Sequence, residues 1–474
     1  MGYTAIVHGE RFVFADLTEL LAKANERKSG DELAGIAAAT ERERVAAKMA
    51  LADVRVSDFT DFPLIEDEVT EVTRADVAVD AQQAIGSLTI GQLRELILTP
   101  QFPGLWQATL KGGFLPEVAA AVAKIMSDLD LVLAAKPLRT VTRCRNTIGE
   151  AATLGARIQP NHPTDDLTGI LAAIIDGLGY ACGDAVIGIN PATDSVAKTA
   201  QLLRGINEFT AELGIPTQSC ILAHATTQLG ALNAGAPVDL LFQSLAGTED
   251  ANRSFGVSMS LMREAREAVL ASHRERPQDF VGDQCVYIET GQGSALSSYN
   301  HHGIDQLTLE ARAQGAARTL DPFLINTVVG FIGPEYLADA RQITRAGLED
   351  HFVGKLLGLP MGVDVCYTNH VDADQNSNDD LLMLLTSAAC NYFMGLPAGV
   401  DVMLGYQSTS YHDVASMRRL SGTGPAPEFA HWAAKAGILV DGSLSHAGPL
   451  TDGLVRLAAA IAERHELPAL GSAR

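Results

Sequence analysis

A (β/α)8 TIM barrel, with a mainly helical N-terminal region before it and a short helical extension after it, is the fold the sequence predicts. Three observations point there. From about Pro137 onward, short apolar runs alternate with longer segments whose apolar residues recur at three and four, as in parallel strands joined by helices. Eight such runs occur, the number that closes a barrel. Most of them end in a polar residue followed by Pro, Gly or Asn, where strands of this fold meet their functional loops. The 474 residues suffice for one enlarged barrel with extensions.

Residues 1–135 open with two short alternating runs, TAIVHG and RFVFAD. They continue as amphipathic helices: LTELLAKANE, TERERVAAKMALADV, IGQLRELIL and LPEVAAAVAKIMSDLDLVLAAK. No chemistry-bearing motif stands out, so an accessory or assembly role is expected. Residues 136–424 carry the barrel. Its strand runs are TLGARIQPN, DAVIGINPATD, SCILAHATT, VDLLFQS, CVYIETGQGS, INTVVGFIGP, GVDVCYTNH and VDVMLGYQ. Between them lie helices such as DDLTGILAAIIDGL, SVAKTAQLLRGINEFTAEL, TEDANRSFGVSMSLMREAREAVL and DDLLMLLTSAACNYF. The uncharged stretch Leu381 to Val400 contains Asn391, Gly395, Pro397 and Gly399, so it reads as a buried helix and a turn rather than a membrane span. Residues 425–474 add one or two outer helices, PEFAHWAAKAG and GPLTDGLVRLAAAIAERHEL.

Composition narrows the partners. Lys and Arg total 35 against 57 Asp and Glu, a formal net charge of -22. Such a surface repels phosphate backbones and anionic headgroups, which argues against nucleic acid and against membrane docking. It suits solubility and a cationic small molecule. Six cysteines lie in apolar segments without a CxxC pair, as expected of buried thiols in a reducing cytoplasm rather than of zinc ligands or disulfides. The start has no apolar run of signal-peptide length, and Ile6 stands where a myristoylation signal needs Ser or Thr.

The strand ends hold the candidate chemistry, because a barrel of this kind places its active site at the C-terminal ends of its strands. Arg157 and Gln159 close the first run and, two residues apart, face the same way. Asn190 closes the second, His224 the third, Gln243 and Ser244 the fourth, and Glu289 the fifth; Asp364 comes from the seventh, and Met403 and Tyr406 lie near the end of the eighth. Two buried carboxylates need a cation between them. Arg157 could serve, and so could a protonated amine. Gln159 and Asn190 each add a donor and an acceptor, which suits a small amino alcohol.

Other motifs are weaker. GQGSAL (291–296) lacks the third glycine of a dinucleotide fingerprint. The segment NHVDADQNSNDD (369–380) gathers His370, Asp372, Asp374, Asp379 and Asp380, but capping of the following helix accounts for it better than a metal, and no metal ligands are assigned. Two alternative functions stay open on these residues: a metal-dependent hydrolase using Asp364, Glu289 and the His370 cluster, and a non-catalytic assembly subunit.

The runs GARIQPN, GDAVIGINPATD, IPTQSCILAHATTQ, LFQSLAGTE, ETGQGSALS, DPFLINTVVGFIGPEYL, RAGLEDHFVGKLLGLPMGVDVCYTNHVDADQN and CNYFMGLPAGVDVMLGYQSTSYHD together resemble the large subunit of ethanolamine ammonia-lyase. The likeness extends to KANERKSGDELAGIAAATERERVAAK and to PAPEFAHWAAKAGI, and it ends after about Gly442. The resemblance implies adenosylcobalamin-dependent radical chemistry on a barrel, converting ethanolamine to acetaldehyde and ammonia. It implies a substrate pocket of Arg157, Gln159, Asn190, Glu289 and Asp364 with Phe331 as one wall. It implies cobalamin contacts from Pro191, Gln243, Ser244, Ser297 and Met403, with Met394 as a further candidate. The nearest string to a base-off DxHxxG motif, EDHFVG, has the wrong order. The resemblance accordingly implies base-on cobalamin at an interface completed by the small subunit. It also implies a trimer of dimers of large subunits, and a cytoplasmic location with a bacterial microcompartment as the alternative.

Overall fold

The computed structural model describes residues 2–445 and 452–466. Eight parallel strands form the centre: β1 (Gly155–Ile158), β2 (Val186–Ile189), β3 (Ser219–Ile221), β4 (Leu241–Ser244), β5 (Val286–Thr290), β6 (Leu324–Val329), β7 (Met361–Val365) and β8 (Tyr392–Gly395). Each strand pairs with its neighbours in chain order, and β8 returns to β1 with Met394 beside Arg157. At the β3–β4 seam the Leu240 N–H donates to the Ser219 carbonyl at 3.3 Å, closing the sheet into a barrel. The strands are short, apolar and almost wholly buried, because helices cover them outside and side chains fill them inside.

The eighth strand differs from the sequence expectation. It is Tyr392–Gly395, inside the uncharged stretch that reads as helix and turn, and not VDVMLGYQ. The helix Gln375–Ser387 ends early, and Ala389 at φ 57° turns the chain into β8. A four-residue apolar run carries no periodicity that separates a buried strand from a buried helix, which explains the misreading. VDVMLGYQ is instead cut by Gly405 at φ 76° into an antiparallel pair, Val400–Asp401 against Tyr406–Gln407. With Tyr367–Thr368 this pair makes a three-stranded cap over the ends of β7 and β8.

Before the barrel, the hairpin Tyr3–Val7 and Glu10–Phe14 turns through His8 and Gly9, both at positive φ. Two long helical runs prove to be broken. The segment after Leu115 divides into Pro116–Lys124 and Asp128–Ala135, the second started by a Ser127–Asp130 capping box. The segment after Thr248 divides into Glu249–Ser254 and Met259–His273 at Gly256, with Ser258 as the new N-cap. The early helices dock on the barrel helices Gln306–Arg318 and Ala340–Leu356 through buried ion pairs: Lys28 with Glu349 at 2.8 Å and Lys124 with Asp305 at 2.5 Å. After the barrel, Pro427–Lys435 anchors through the Trp432 indole N–H on the Leu213 carbonyl, and Asp452–Arg464 packs on Leu167–Gly179 and Val196–Glu212.

Candidate active site

Side chains alternate along a strand, so residues 155, 157 and 159 share a direction, as do 287 and 289. Both odd-numbered sets point into the barrel. Arg157, fully buried, reaches across the lumen from β1 to β5, donating to the Tyr287 hydroxyl at 2.6 Å and to Glu289 Oε1 at 2.8 Å. Its third bond goes to the Gly188 carbonyl at 3.3 Å. A Cβ at residue 188 would lie 2.8 Å from Arg157 Nε, so only glycine leaves room for the guanidinium. The same holds below it, where a Cβ at Gly362 would come within 2.3 Å of the Tyr392 ring.

Glu289 uses Oε1 for Arg157 and Tyr287, and its Oε2 is bonded to no described residue. Asn326 sits beside it in register on β6, with its side-chain carbonyl buried and unpartnered. Asp364, on β7, accepts from the Ser408 hydroxyl at 2.5 Å and from the Tyr406 hydroxyl at 3.3 Å. Tyr406 in turn accepts from Gln159 Nε2 at 2.7 Å. Gln159 gives its amide nitrogen also to Asp401, and its carbonyl oxygen Oε1 is buried with no partner. Phe331 stands edge-on to the Tyr406 ring at 5.2 Å and is 38% exposed, a wall at the mouth.

Charges in this cluster are shifted as burial dictates. Asp364 is pushed up to about 7, chiefly by burial and further by Glu289, while the Ser408 bond, Arg157 and the Tyr406 bond pull it back. Burial works against the Arg157 cation, but Tyr287 and Glu289 outweigh it and hold the guanidinium charged. Tyr287 and Tyr406 are raised well above the usual phenol range, first by burial, so both stay neutral donors.

Asn190 follows β2; its backbone N–H donates to Asn161 Oδ1 at 2.8 Å, and its side-chain amide is bonded to no described residue. His224 does not join the cluster: its ring caps the helix Ala225–Asn233. The His370 segment lies apart as well, exposed, with Asp374 capping the helix Gln375–Ser387 as the sequence suggested. Among the described residues no group of three or more His, Cys, Asp or Glu side chains is placed to hold a metal. All six cysteines are buried and unpaired.

A family profile described as ethanolamine ammonia lyase large subunit (EutB) matches residues 12–447. The chain is 48% identical over 440 residues to the ethanolamine ammonia-lyase large subunit of Escherichia coli (strain K12), covering 92% of this chain and 96% of that protein. The same identity and coverage hold for the large subunit of Salmonella typhimurium. The chain belongs to the ethanolamine ammonia-lyase large-subunit family.

Five residues that sequence reasoning had not selected join the site of this ammonia-lyase family member: Tyr287, Asn326, Asn161, Asp401 and Ser408. Tyr287 was findable, since it stands two before Glu289 on the same face of the same strand. The residues that the resemblance implies for cobalamin divide in two. Pro191, Ser244, Ser297 and Met403 lie after β2, at the end of β4, after β5 and in the cap, all at the C-terminal end of the barrel. Ser244 is in register with Glu289. Gln243 points away from the lumen, its Oε1 accepting from the Ala225 N–H at 3.0 Å. Met394 is inside the barrel, 1% exposed, next to Arg157.

Proposed function

We propose that this chain is the catalytic large subunit of an adenosylcobalamin-dependent ethanolamine ammonia-lyase, converting ethanolamine to acetaldehyde and ammonia. The observation that carries the reading is the cluster itself. Two acids, a buried guanidinium and an amide with a free carbonyl converge at the strand ends of a barrel that belongs to this family.

The roles follow from which atoms are left over. A protonated amine needs acceptors, and Gln159 Oε1, Glu289 Oε2 and the Asp364 carboxylate supply them. Arg157 holds Glu289 in one rotamer and balances one of the two negative charges, so the ammonium balances the other. Glu289 Oε2 is the site at which a proton can be exchanged with the migrating amino group. Asn190 offers a donor to the hydroxyl, and Phe331 shields the mouth from water.

The rim suits a large amphipathic cofactor. Tyr299, Phe331, Val402 and Leu404 are exposed there among small polar residues such as Ser297, and an amide-fringed macrocycle could cover such a surface. Pro191, Ser244, Ser297 and Met403 would hold it, with the Gln243 amide nitrogen as a further donor. Adenosylcobalamin, when bound, supplies a carbon-centred radical by homolysis of its cobalt–carbon bond. These residues form one face, so the small subunit completes the site in this reading, with the cofactor base-on. The N-terminal 135 residues serve docking and assembly, the oligomer is a trimer of dimers, and the setting is cytoplasmic or inside a microcompartment. Among the described residues no helix is long and apolar enough to cross a membrane.

Co-expression with a small subunit, followed by an aldehyde-release assay on ethanolamine, tests the proposal. Turnover should require both the second subunit and adenosylcobalamin. Absence of aldehyde from the loaded two-subunit enzyme would overturn it.

A further inference from the structure

Asp401 lies in the cap, 1% exposed, and four donors converge on it. Its Oδ2 accepts from Gln159 Nε2 at 2.7 Å and from Asn161 Nδ2 at 2.6 Å. Its Oδ1 accepts from the backbone N–H groups of Met403 at 3.0 Å and Leu404 at 2.7 Å. We infer that Asp401 is a positioning residue: it fixes the Gln159 amide so that the carbonyl oxygen faces the substrate ammonium, and it ties that orientation to the loop carrying Met403. The inference rests on the proposed role of Gln159 as a substrate ligand.

The logic is one of donors and acceptors. A glutamine amide is nearly symmetric in shape, so its neighbours alone decide which end faces the pocket. A carboxylate only accepts, and Asp401 therefore takes the NH2 end. The Tyr406 hydroxyl, which donates to Asp364, accepts from the same nitrogen. Both arrangements leave Oε1 buried, unpartnered and available to a cation. Asn161 repeats the pattern: its nitrogen is held by Asp401 and its oxygen by the Asn190 N–H at 2.8 Å. One carboxylate thus orders acceptors just after β1 and the backbone after β2 while shaping the turn at Met403.

Asp401→Asn separates positioning from scaffolding. Its amide oxygen can still accept from the Met403 and Leu404 N–H groups, so the turn persists. Its NH2 then meets the NH2 groups of Gln159 and Asn161, and Gln159 turns over to present a donor where the ammonium sits.

The test uses the two-subunit enzyme loaded with adenosylcobalamin, in four forms: wild type, Gln159→Ala, Asp401→Asn and the double variant. Gln159→Ala and Asp401→Asn should each raise the KM for ethanolamine roughly 10- to 100-fold, the range of a charge-assisted hydrogen bond. In the Gln159→Ala background Asp401→Asn should add no more than about twofold. Adenosylcobalamin affinity should change no more than about twofold in every form, the scatter of independent sites. Full additivity of the two substitutions, or an unchanged KM in Asp401→Asn alone, would overturn the positioning role while leaving the site reading intact. A cofactor-affinity loss as large as the KM effect would assign Asp401 to general scaffolding and overturn it too. An unchanged KM in Gln159→Ala would instead remove the site reading itself, and the positioning role with it.

Discussion

Arg157 and Glu289 meet across the barrel lumen from strands four places apart, with Nη1 2.8 Å from Oε1 and the guanidinium completely shielded from water. Tyr287 bonds to both partners, so three side chains from two opposite strands form one unit. A cation this deep is tolerable only because Glu289 beside it supplies the counter-charge.

Arg157→Ala should therefore cost stability as well as activity. Removing one member of a buried pair costs about 3–5 kcal/mol in typical cases, because the remaining charge is left uncompensated. Arg157 also lowers the Asp364 pKa, so its loss moves that carboxyl further above about 7. Activity should fall most at mildly acidic pH, where the acid is then protonated, and added guanidinium should recover part of the rate. A pH–rate profile parallel to that of the wild type would place Arg157 in the barrel's packing and outside the chemistry.

Glu289→Gln should lower kcat by about 10²–10⁴-fold, the usual contribution of a positioned proton-exchanging group. The amide keeps the shape and can still accept from Arg157 and Tyr287 through its oxygen, but it leaves the buried guanidinium without its counter-charge, so thermal stability should fall while cobalamin binding changes little. Retention of more than half the rate would make Glu289 a structural strand-end residue.

Much of this site was legible because period-two alternation and strand-end position are local properties. Arg157 and Gln159 could be read as a same-face pair, and Glu289 and Asp364 as strand-end acids, from a few residues each. Tyr406, Ser408 and Asp401 were harder to place. They reach the site from a cap whose chain alternates like a barrel strand, and only the turn at Gly405 distinguishes the two. The pairings of Lys28 with Glu349 and Lys124 with Asp305 join residues at least 181 positions apart, and no local pattern announces them. β8 was hidden for a third reason: Tyr392–Gly395 is buried on both faces, so it has no polar face to reveal its period.

The chain without its small subunit should bind adenosylcobalamin weakly and turn over little or no ethanolamine. The cofactor-facing residues proposed here cover one face, and the rim they belong to leaves Tyr299 91% exposed. Titration of the isolated chain with cobalamin, followed by visible absorbance, checks this. Tight binding with robust turnover by the isolated chain would refute the two-subunit reading.

Asp364 should make ethanolamine binding pH-dependent around neutrality. Its carboxyl is raised to about 7, with burial as the main cause and Glu289 adding to it. Below that pH the free enzyme holds it protonated, and an ammonium entering the site must displace the proton. The apparent KM should therefore climb as pH falls below about 7, approaching tenfold per unit. At saturating ethanolamine the ammonium favours the ionised form, so kcat should stay flatter over the same range. Ser408→Ala removes a bond that lowers this pKa, and the inflection in kcat/KM should move upward. Asp364→Asn should abolish the inflection and weaken binding by about 1.5–3 kcal/mol, the range of a charge-assisted hydrogen bond. Stability carries the opposite sign from binding. Between an unfolded pKa of about 3.9 and the folded value, the unfolded chain is ionised while the native one keeps its proton, so rising pH favours unfolding through this group. The Tm of the wild type, relative to that of Asp364→Asn, should accordingly decline as pH rises from 4 to about 7. Equal pH dependence of KM in the wild type and Asp364→Asn would remove Asp364 from the ammonium site.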